Sequence, residues 1–349
     1  MKNKLKHLVP VLLALATITG SLSACELKPK AQQKVSKQGF YFDTIIQITL
    51  YGTTNEKYID DCFDMAKKYE DMLSNTVSYS EVSKINDAAG KEYVTVSNDT
   101  LELFKNGSDF GDTSDGMFYI TLGKLSDLWN FSEIAENTDS KDNEVDASVV
   151  PSDAQIQSEL SHVNYRNIQI NGNDVMLTDS KAKLDLGGIA KGFIADKMKA
   201  YLQSKKITSG IINLGGNVLT VGEKSDGSDY TVGIQKPFDE SGEPICTVKI
   251  KDKSVVTSGI YERYYRVDGK LYHHILDTTT GYPVKNNLYS VTIISDSSCD
   301  GDALSTTCFA LGIDKAKELI NSLSGVEAIF VTDDYSIITT SDEYNVSKE

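Results

Sequence analysis

From residue 167 to residue 340 the chain is mostly a run of short β-branched and aromatic segments placed one after another, and this succession limits the fold more than any other feature. Residues 167–170 and 175–177 flank Asn171-Gly172-Asn173, a hairpin signal. Further strand patterns occupy residues 211–214, 218–221, 230–234, 246–250, 255–258, 264–267 and 288–294, and residues 328–332 with 335–340 read as a closing hairpin. Parallel strands need long crossovers, usually helical, whereas consecutive strands pair as antiparallel neighbours. The reading is therefore an α+β fold of antiparallel strands with flanking helices, not a doubly wound sheet. Residues 40–50 alternate as one further strand. Helical periodicity marks residues 55–73, 99–112, 152–160, 189–202, 302–311 and 314–323, and Ser80 to Asn86 reads as a short capped helix. Residues 137–151 are polar and acidic, as in an exposed insertion.

The first 25 residues read as an export signal. Lys2, Lys4 and Lys6 precede an apolar stretch at residues 8–18, too short to span a bilayer, and Leu22-Ser23-Ala24-Cys25 looks like a lipobox. The expected organisation is a lipoprotein signal peptide at 1–24, a polar tether at 25–38 lipidated at Cys25, and one domain at 39–349. Formal net charge is −15, and loss of residues 1–24 removes three lysines and no acids, leaving −18. No basic stripe is available for nucleic acid. The other cysteines, Cys62, Cys246, Cys299 and Cys308, show no metal-ligand spacing, and Cys62 and Cys308 fall in helical apolar patterns as small core residues.

Three segments carry residues suited to chemistry. In "LDLGGIAKGFIADKM" (184–198) an apolar step meets Gly187-Gly188 and turns into a helix, an arrangement able to hold an anion, although neither common phosphate fingerprint is present. In "CDGDALSTTCFALG" (299–312) a helix would place Asp302 and Thr306 four residues apart on one face, a carboxylate and hydroxyl that suit a hard cation. Taken alone, the segment favours the plainer reading, in which Asp300 or Asp302 caps the helix and Thr306 is a polar surface residue. In "YHHILDTTTGYPV" (272–284) one of the paired histidines faces inward and the other outward, and either a backbone-satisfied or a proton-transferring role is open. A second glycine pair in "NLGGNVLTVG" (213–222) indicates a tight turn or a close backbone approach.

Seven stretches, "SEVSKIN", "MFYITLGKLSDLW", "LDLGGIAKGFIADKM", "GIINLGGNVLTVG", "VVTSGIYERYY", "HHILDTTTGYPV" and "DGDALSTTCFALG", occur in an order and spacing that resemble the ApbE family of FAD:protein FMN transferases across about residues 39–340. The resemblance implies a T-fold-like domain that cleaves the pyrophosphate of FAD and transfers FMN to a Thr or Ser hydroxyl of an acceptor protein, releasing AMP. It further implies Mg²⁺ held by Asp302, Thr306 and the carbonyl of Gly188, FAD contacted by Asp185 and Lys191, a nucleotide pocket lined by Thr121, Leu122 and Gly123, and His274 at the flavin nucleotide. His274 is the candidate acceptor of the nucleophile's proton, with Asp302 as competitor. Acceptors of extracytoplasmic electron transfer, modified in trans, are the expected partners. FAD hydrolysis to FMN and AMP, or lipid-anchored flavin binding without turnover, are the alternative functions. The chain departs from the family pattern at Phe42-Asp43-Thr44 (Met-Gly-Thr in many members), at Thr76 (an aromatic), at Phe118-Tyr119-Ile120-Thr121 (Phe-Asp-Pro-Thr) and at Thr278 (proline).

Overall fold

The computed structural model describes residues 33–138, 142–239, 241–344 and 346–348. The segment expected to be a signal peptide and Cys25, the expected lipidation position, lie outside the described residues. The elements in chain order are β1 (Lys34–Tyr41), β2 (Thr44–Tyr51), α1 (Lys57–Leu73), α2 (Glu81–Asp87), β3 (Val94–Thr95), α3 (Asn98–Thr113), α4 (Gly123–Trp129), α5 (Phe131–Glu136), α6 (Asp153–Leu160), β4 (Ile168–Asn171), β5 (Asp174–Leu177) and α7 (Ala190–Ser204). There follow β6 (Ser209–Leu214), β7 (Asn217–Gly222), β8 (Tyr230–Gln235), β9 (Pro244–Ile250), β10 (Ser254–Gly259), β11 (Tyr264–Val267), β12 (Lys270–His273), β13 (Leu288–Ser295), α8 (Ser298–Leu311), α9 (Ile313–Ser322), β14 (Glu327–Thr332), β15 (Ile337–Thr339) and β16 (Ser347–Lys348).

Eight strands form one sheet in the order β1-β2-β6-β7-β10-β13-β14-β15, and every pairing in it is antiparallel. This is the α+β architecture expected from consecutive strands. One face of the sheet packs on helices. α1 follows from its spacing: Ile59, Cys62, Ala66, Tyr69 and Leu73 recur at intervals of three and four and are all buried. They join Ile46, Ile48, Leu50, Ile212, Leu214, Leu219 and the buried stripe of α7 in one core. Beside it, α8 and α9 bury Leu304, Cys308, Phe309, Ala316 and Ile320 against Val291, Ile293 and Phe330. Residues of the opposite parity, Val255, Ile294 and Ile329, face a second small sheet through Tyr230, Ile234, Val248 and Ile250. Covered on both sides, β13 is buried at nearly every position, with Ser290, Thr292 and Ser295 enclosed among its apolar residues. Cys62 and Cys308 are small core residues, and burial pushes both thiols up to about 12.

Two expectations change at the N-terminus. The alternating run at residues 40–50 is not one strand but the reversal of a hairpin: Tyr41 pairs with Thr44, and Phe42 and Asp43 both lie at φ 54°. A two-residue turn with both φ positive normally takes Asn and Gly, so nothing in the Phe-Asp pair announces it. It is held from outside, by the Phe42 amide donating to Glu70 Oε1 of α1 at 2.8 Å. The segment read as tether, 25–38, also loses its last five residues, because β1 begins at Lys34.

A cluster of rings forms a fourth packing centre. Trp129 stacks on Phe131, Phe131 on Tyr265, and Tyr265 on Tyr272, so α4 and α5 sit against the β11–β12 hairpin. Trp129 Nε1 donates to the Gly281 carbonyl at 2.8 Å. The stretch ending in Trp129 is thereby fastened to the stretch that begins at His273. Part of the polar insertion belongs to this region too, since the Val145 amide donates to the Arg266 carbonyl.

Candidate active site

The site grows from the segment between β5 and α7. Asn86 of α2 holds Leu184 as a neighbouring strand would: its Oδ1 accepts the Leu184 amide at 2.7 Å and its Nδ2 donates to the Leu184 carbonyl at 3.4 Å. On the other edge, the Asp185 amide donates to the Ile120 carbonyl at 2.8 Å, and the Gly123 amide to the Lys183 carbonyl at 2.9 Å. Thr121, Leu122 and Gly123 are therefore brought alongside Asp185. Thr121 is 1% exposed, and its Oγ1 has no hydrogen-bond partner among the described residues.

Asp185 Oδ1 then accepts the Gly187 amide at 2.8 Å, a local side-chain turn that sends the chain toward α7. Gly188 runs close to both walls of the site: a Cβ there would press on the Phe118 ring at 3.1 Å, which would have to give by a few tenths of an ångström, and would touch Thr306 Oγ1 at 3.8 Å. The second glycine pair does a different job. Gly215 and Gly216, at φ 62° and 92°, form the β6–β7 hairpin turn.

Helix α7 starts without a side-chain cap of its own. Its Gly192 amide instead donates to Asp302 Oδ2 on α8 at 2.9 Å. Gly192 makes the approach possible, since a Cβ there would stand 2.1 Å from the Ser298 carbonyl oxygen. One turn further along α7, Asp196 answers: Oδ1 accepts the Ser298 amide and Oδ2 the Cys299 amide, both at 2.9 Å, with Ser297 Oγ at 3.2 Å. Each helix thus caps the other. Ser298 Oγ adds a bond to Asn217 Oδ1 at 2.8 Å, tying the start of α8 to the glycine turn. Asp196, Gly192 and Asn217 were not among the residues expected from sequence to build the site. Their action crosses between helices, and only the Gly-x-x-x-Asp spacing in the AKGFIAD segment hints at it.

Asp302 is 5% exposed, and Gly192 is the hydrogen-bond donor to its carboxylate among the described residues, leaving Oδ1 without one. Burial raises its pKa, opposed by the charge of Lys191 and by the Gly192 amide. So Asp302 does cap a helix, but not its own, because Ser297 caps α8. Thr306 lies on the next turn, half-buried, 3.1 Å from Ser258 Oγ. Thr306 Oγ1 thus lies beside Gly188, and Asp302, one turn before it on α8, faces the start of α7. Among the described residues no three His, Cys, Asp or Glu side chains converge as a metal cluster, so a cation here would rest on mixed oxygen donors.

Lys191 Nζ reaches the Gly187 carbonyl at 3.3 Å, and its charge is felt at both Asp302 and His274. The two histidines divide as alternation requires. His273 is 5% exposed, its Nε2 bonds to the Val284 carbonyl at 3.0 Å, and burial lowers its pKa to about 4. His274 is half-buried, with Nδ1 3.2 Å from the Arg263 carbonyl. A carbonyl only accepts, so Nδ1 carries the proton and Nε2 keeps a lone pair. Burial, then the charges of Arg263 and His273, hold the imidazole well below the ordinary histidine range and hence neutral.

The family model described as the ApbE family matches residues 42–330. An FAD:protein FMN transferase of Klebsiella pneumoniae is 37% identical over 298 residues, 85% of this chain and 88% of that protein. One of Treponema pallidum is 32% identical over 291 residues, 79% and 77% of the two chains. Among solved structures, the ApbE protein of Thermotoga maritima superposes with a TM-score of 0.78 at 31% identity, covering 88% of this chain and 96% of that one. The flavin transferase ApbE of Vibrio cholerae shares the fold at a TM-score of 0.76 and 24% identity, again over 88% and 96%. The chain belongs to the ApbE family.

Proposed function

We propose that this chain transfers FMN from FAD to a Thr or Ser hydroxyl of an acceptor protein through a phosphoester bond, releasing AMP. The observation that carries the reading is the 37% identity, over most of both chains, to a relative named for that activity. The site's chemistry suits it. Mg²⁺ prefers oxygen donors, and the buried Asp302 oxygen without a donor, the Thr306 hydroxyl and the Gly188 carbonyl fit that ion and would hold it. Bound there, Mg²⁺ would neutralise charge on the two phosphates of FAD.

The residues around it have separate tasks. Lys191 supplies positive charge for the pyrophosphate in a chain of net charge −15, and Asp185 flanks the dinucleotide. Thr121, with its unpaired buried hydroxyl, lines the nucleotide pocket with Leu122 and Gly123. His274 Nε2 takes the proton of the acceptor hydroxyl as the new O–P bond forms. The P–O–P bond breaks at the same phosphorus, and AMP leaves with the electron pair. Asp302 is less suited to that proton, because its carboxylate is engaged by Gly192 and reserved for the cation. Lipidation at Cys25 would anchor the domain at the extracytoplasmic membrane face, within reach of electron-transfer acceptors.

Incubating the full chain with FAD, Mg²⁺ and an acceptor fragment bearing a Thr in a flavinylation-type motif tests the reading. Covalent in-gel flavin fluorescence with AMP is expected. Free FMN and AMP beside an unmodified acceptor would establish hydrolysis instead.

A further inference from the structure

We infer that Ser258 is a positioning residue whose hydroxyl turns Thr306 into a lone-pair donor facing the cation site. The inference rests on the proposal that Asp302 and Thr306 hold a metal ion. It comes from the polarity of three hydroxyls in a row. Ser305 Oγ lies 2.8 Å from the backbone carbonyl oxygen of Asp302. A carbonyl only accepts, so the single Ser305 proton is committed there. Ser258 Oγ is 2.7 Å from Ser305 Oγ, which can now only accept, so the Ser258 proton is committed in turn. Thr306 Oγ1 is 3.1 Å from Ser258 Oγ, whose remaining capacity is as an acceptor. The Thr306 proton therefore points at Ser258, and both Thr306 lone pairs are left for the site.

The neighbouring threonine shows what Thr306 is spared. A helical threonine commonly donates to the carbonyl four residues back. Thr307 does this, to Ala303 at 2.8 Å. The equivalent bond for Thr306 would go to the Asp302 carbonyl, which Ser305 already occupies. Ser258 gives the Thr306 proton another destination, from β10, an element independent of α8. A cation repels a hydroxyl proton and attracts its lone pairs, so an unanchored Thr306 hydroxyl must reorganise before it can serve as a ligand. Groups that orient a ligand in this way typically account for about 10- to 100-fold in metal affinity.

The test is a titration of the full chain with Mn²⁺, followed by loss of the free-ion electron paramagnetic resonance signal, with Mg²⁺ as competitor. Ser258→Ala should weaken Mn²⁺ binding about tenfold, with the thermal midpoint and circular dichroism of the wild type. Ser258→Thr, which restores the hydroxyl, should recover most of the affinity, and a purely structural role would not be rescued in this way. Should Ser258→Ala fail to fold, Ser258→Cys fills the space with a poor acceptor and should show the same weakening. Wild-type affinity in a folded Ser258→Ala or Ser258→Cys protein, with binding lost in Thr306→Val, would overturn the inference and leave the metal reading standing. Wild-type affinity in both Thr306→Val and Asp302→Asn would overturn the metal reading and the inference with it.

Discussion

Asp196 and Asp302 cap each other's helices. Asp302 of α8 accepts the third backbone amide of α7, from Gly192, and Asp196 of α7 accepts the first two amides of α8, from Ser298 and Cys299. Capping carboxylates normally sit on the helix they serve. Here the exchange fixes the two helices along and around one another, so the Gly188 backbone before α7 meets the Asp302–Thr306 face of α8.

Asp196→Ala should remove two charge-assisted bonds to backbone amides, each worth about 1.5–3 kcal/mol in such settings. Urea unfolding should show a loss of at least about 2 kcal/mol, with a fall in turnover. Asp196→Asn keeps one acceptor and should fall between. Wild-type stability in Asp196→Ala would mean that the helix pair is held elsewhere.

Gly192→Ala pits two effects against each other. Alanine is favoured over glycine in a helix by about 1 kcal/mol, but its Cβ would stand 2.1 Å from the Ser298 oxygen. Overpacking against backbone costs about 1–3 kcal/mol or more, so the clash should win and the thermal midpoint fall. A stabilised variant would contradict the close α7–α8 contact.

The buried His273 predicts a pH dependence of stability. Its folded pKa is about 4 against 6.5 for an ordinary histidine. Between these values the unfolded chain holds more protons, so stability is fully present above about pH 6.5 and is lost as pH falls toward 4. Going from pH 7 to pH 5 should cost about 2 kcal/mol through this group. Urea unfolding of wild type and His273→Gln at both pH values reads it as the difference in slope. Equal slopes would show that His273 is not held neutral by burial.

His274→Ala should lower acceptor flavinylation by about 10²- to 10⁴-fold with little change in the thermal midpoint. Because its pKa is held well below the usual range, the acidic limb of the wild-type rate profile should lie below that range as well. A profile that falls near 6.5, or a variant with undiminished rate, would remove His274 from the proton transfer.

Much of the scaffold was legible because its signals are local. Ser80 caps α2 by accepting the Ser83 amide, Gly172-Asn173 turns the β4–β5 hairpin, and the spacing of Ile59, Ala66 and Tyr69 buries α1. The Phe42-Asp43 turn was not legible, since its positive φ values are sustained by Glu70, 28 residues away, rather than by glycine or asparagine. The same physics separates the site residues. Asp302 and Thr306 stand out as an i, i+4 pair on one helix. Asp196 and Ser258 act across elements, through a cap and through the direction of a hydroxyl proton, and beyond the Gly192–Asp196 spacing nothing local announces them.

The most direct measurement is turnover by Asp302→Asn. Asparagine keeps an oxygen for the Gly192 amide, so the α7 cap and the fold should survive while the charge is lost. With FAD, Mg²⁺ and an acceptor fragment, a folded Asp302→Asn protein should show neither acceptor flavinylation nor AMP release above background. Turnover close to that of the wild type would contradict the assignment of this site to the transfer.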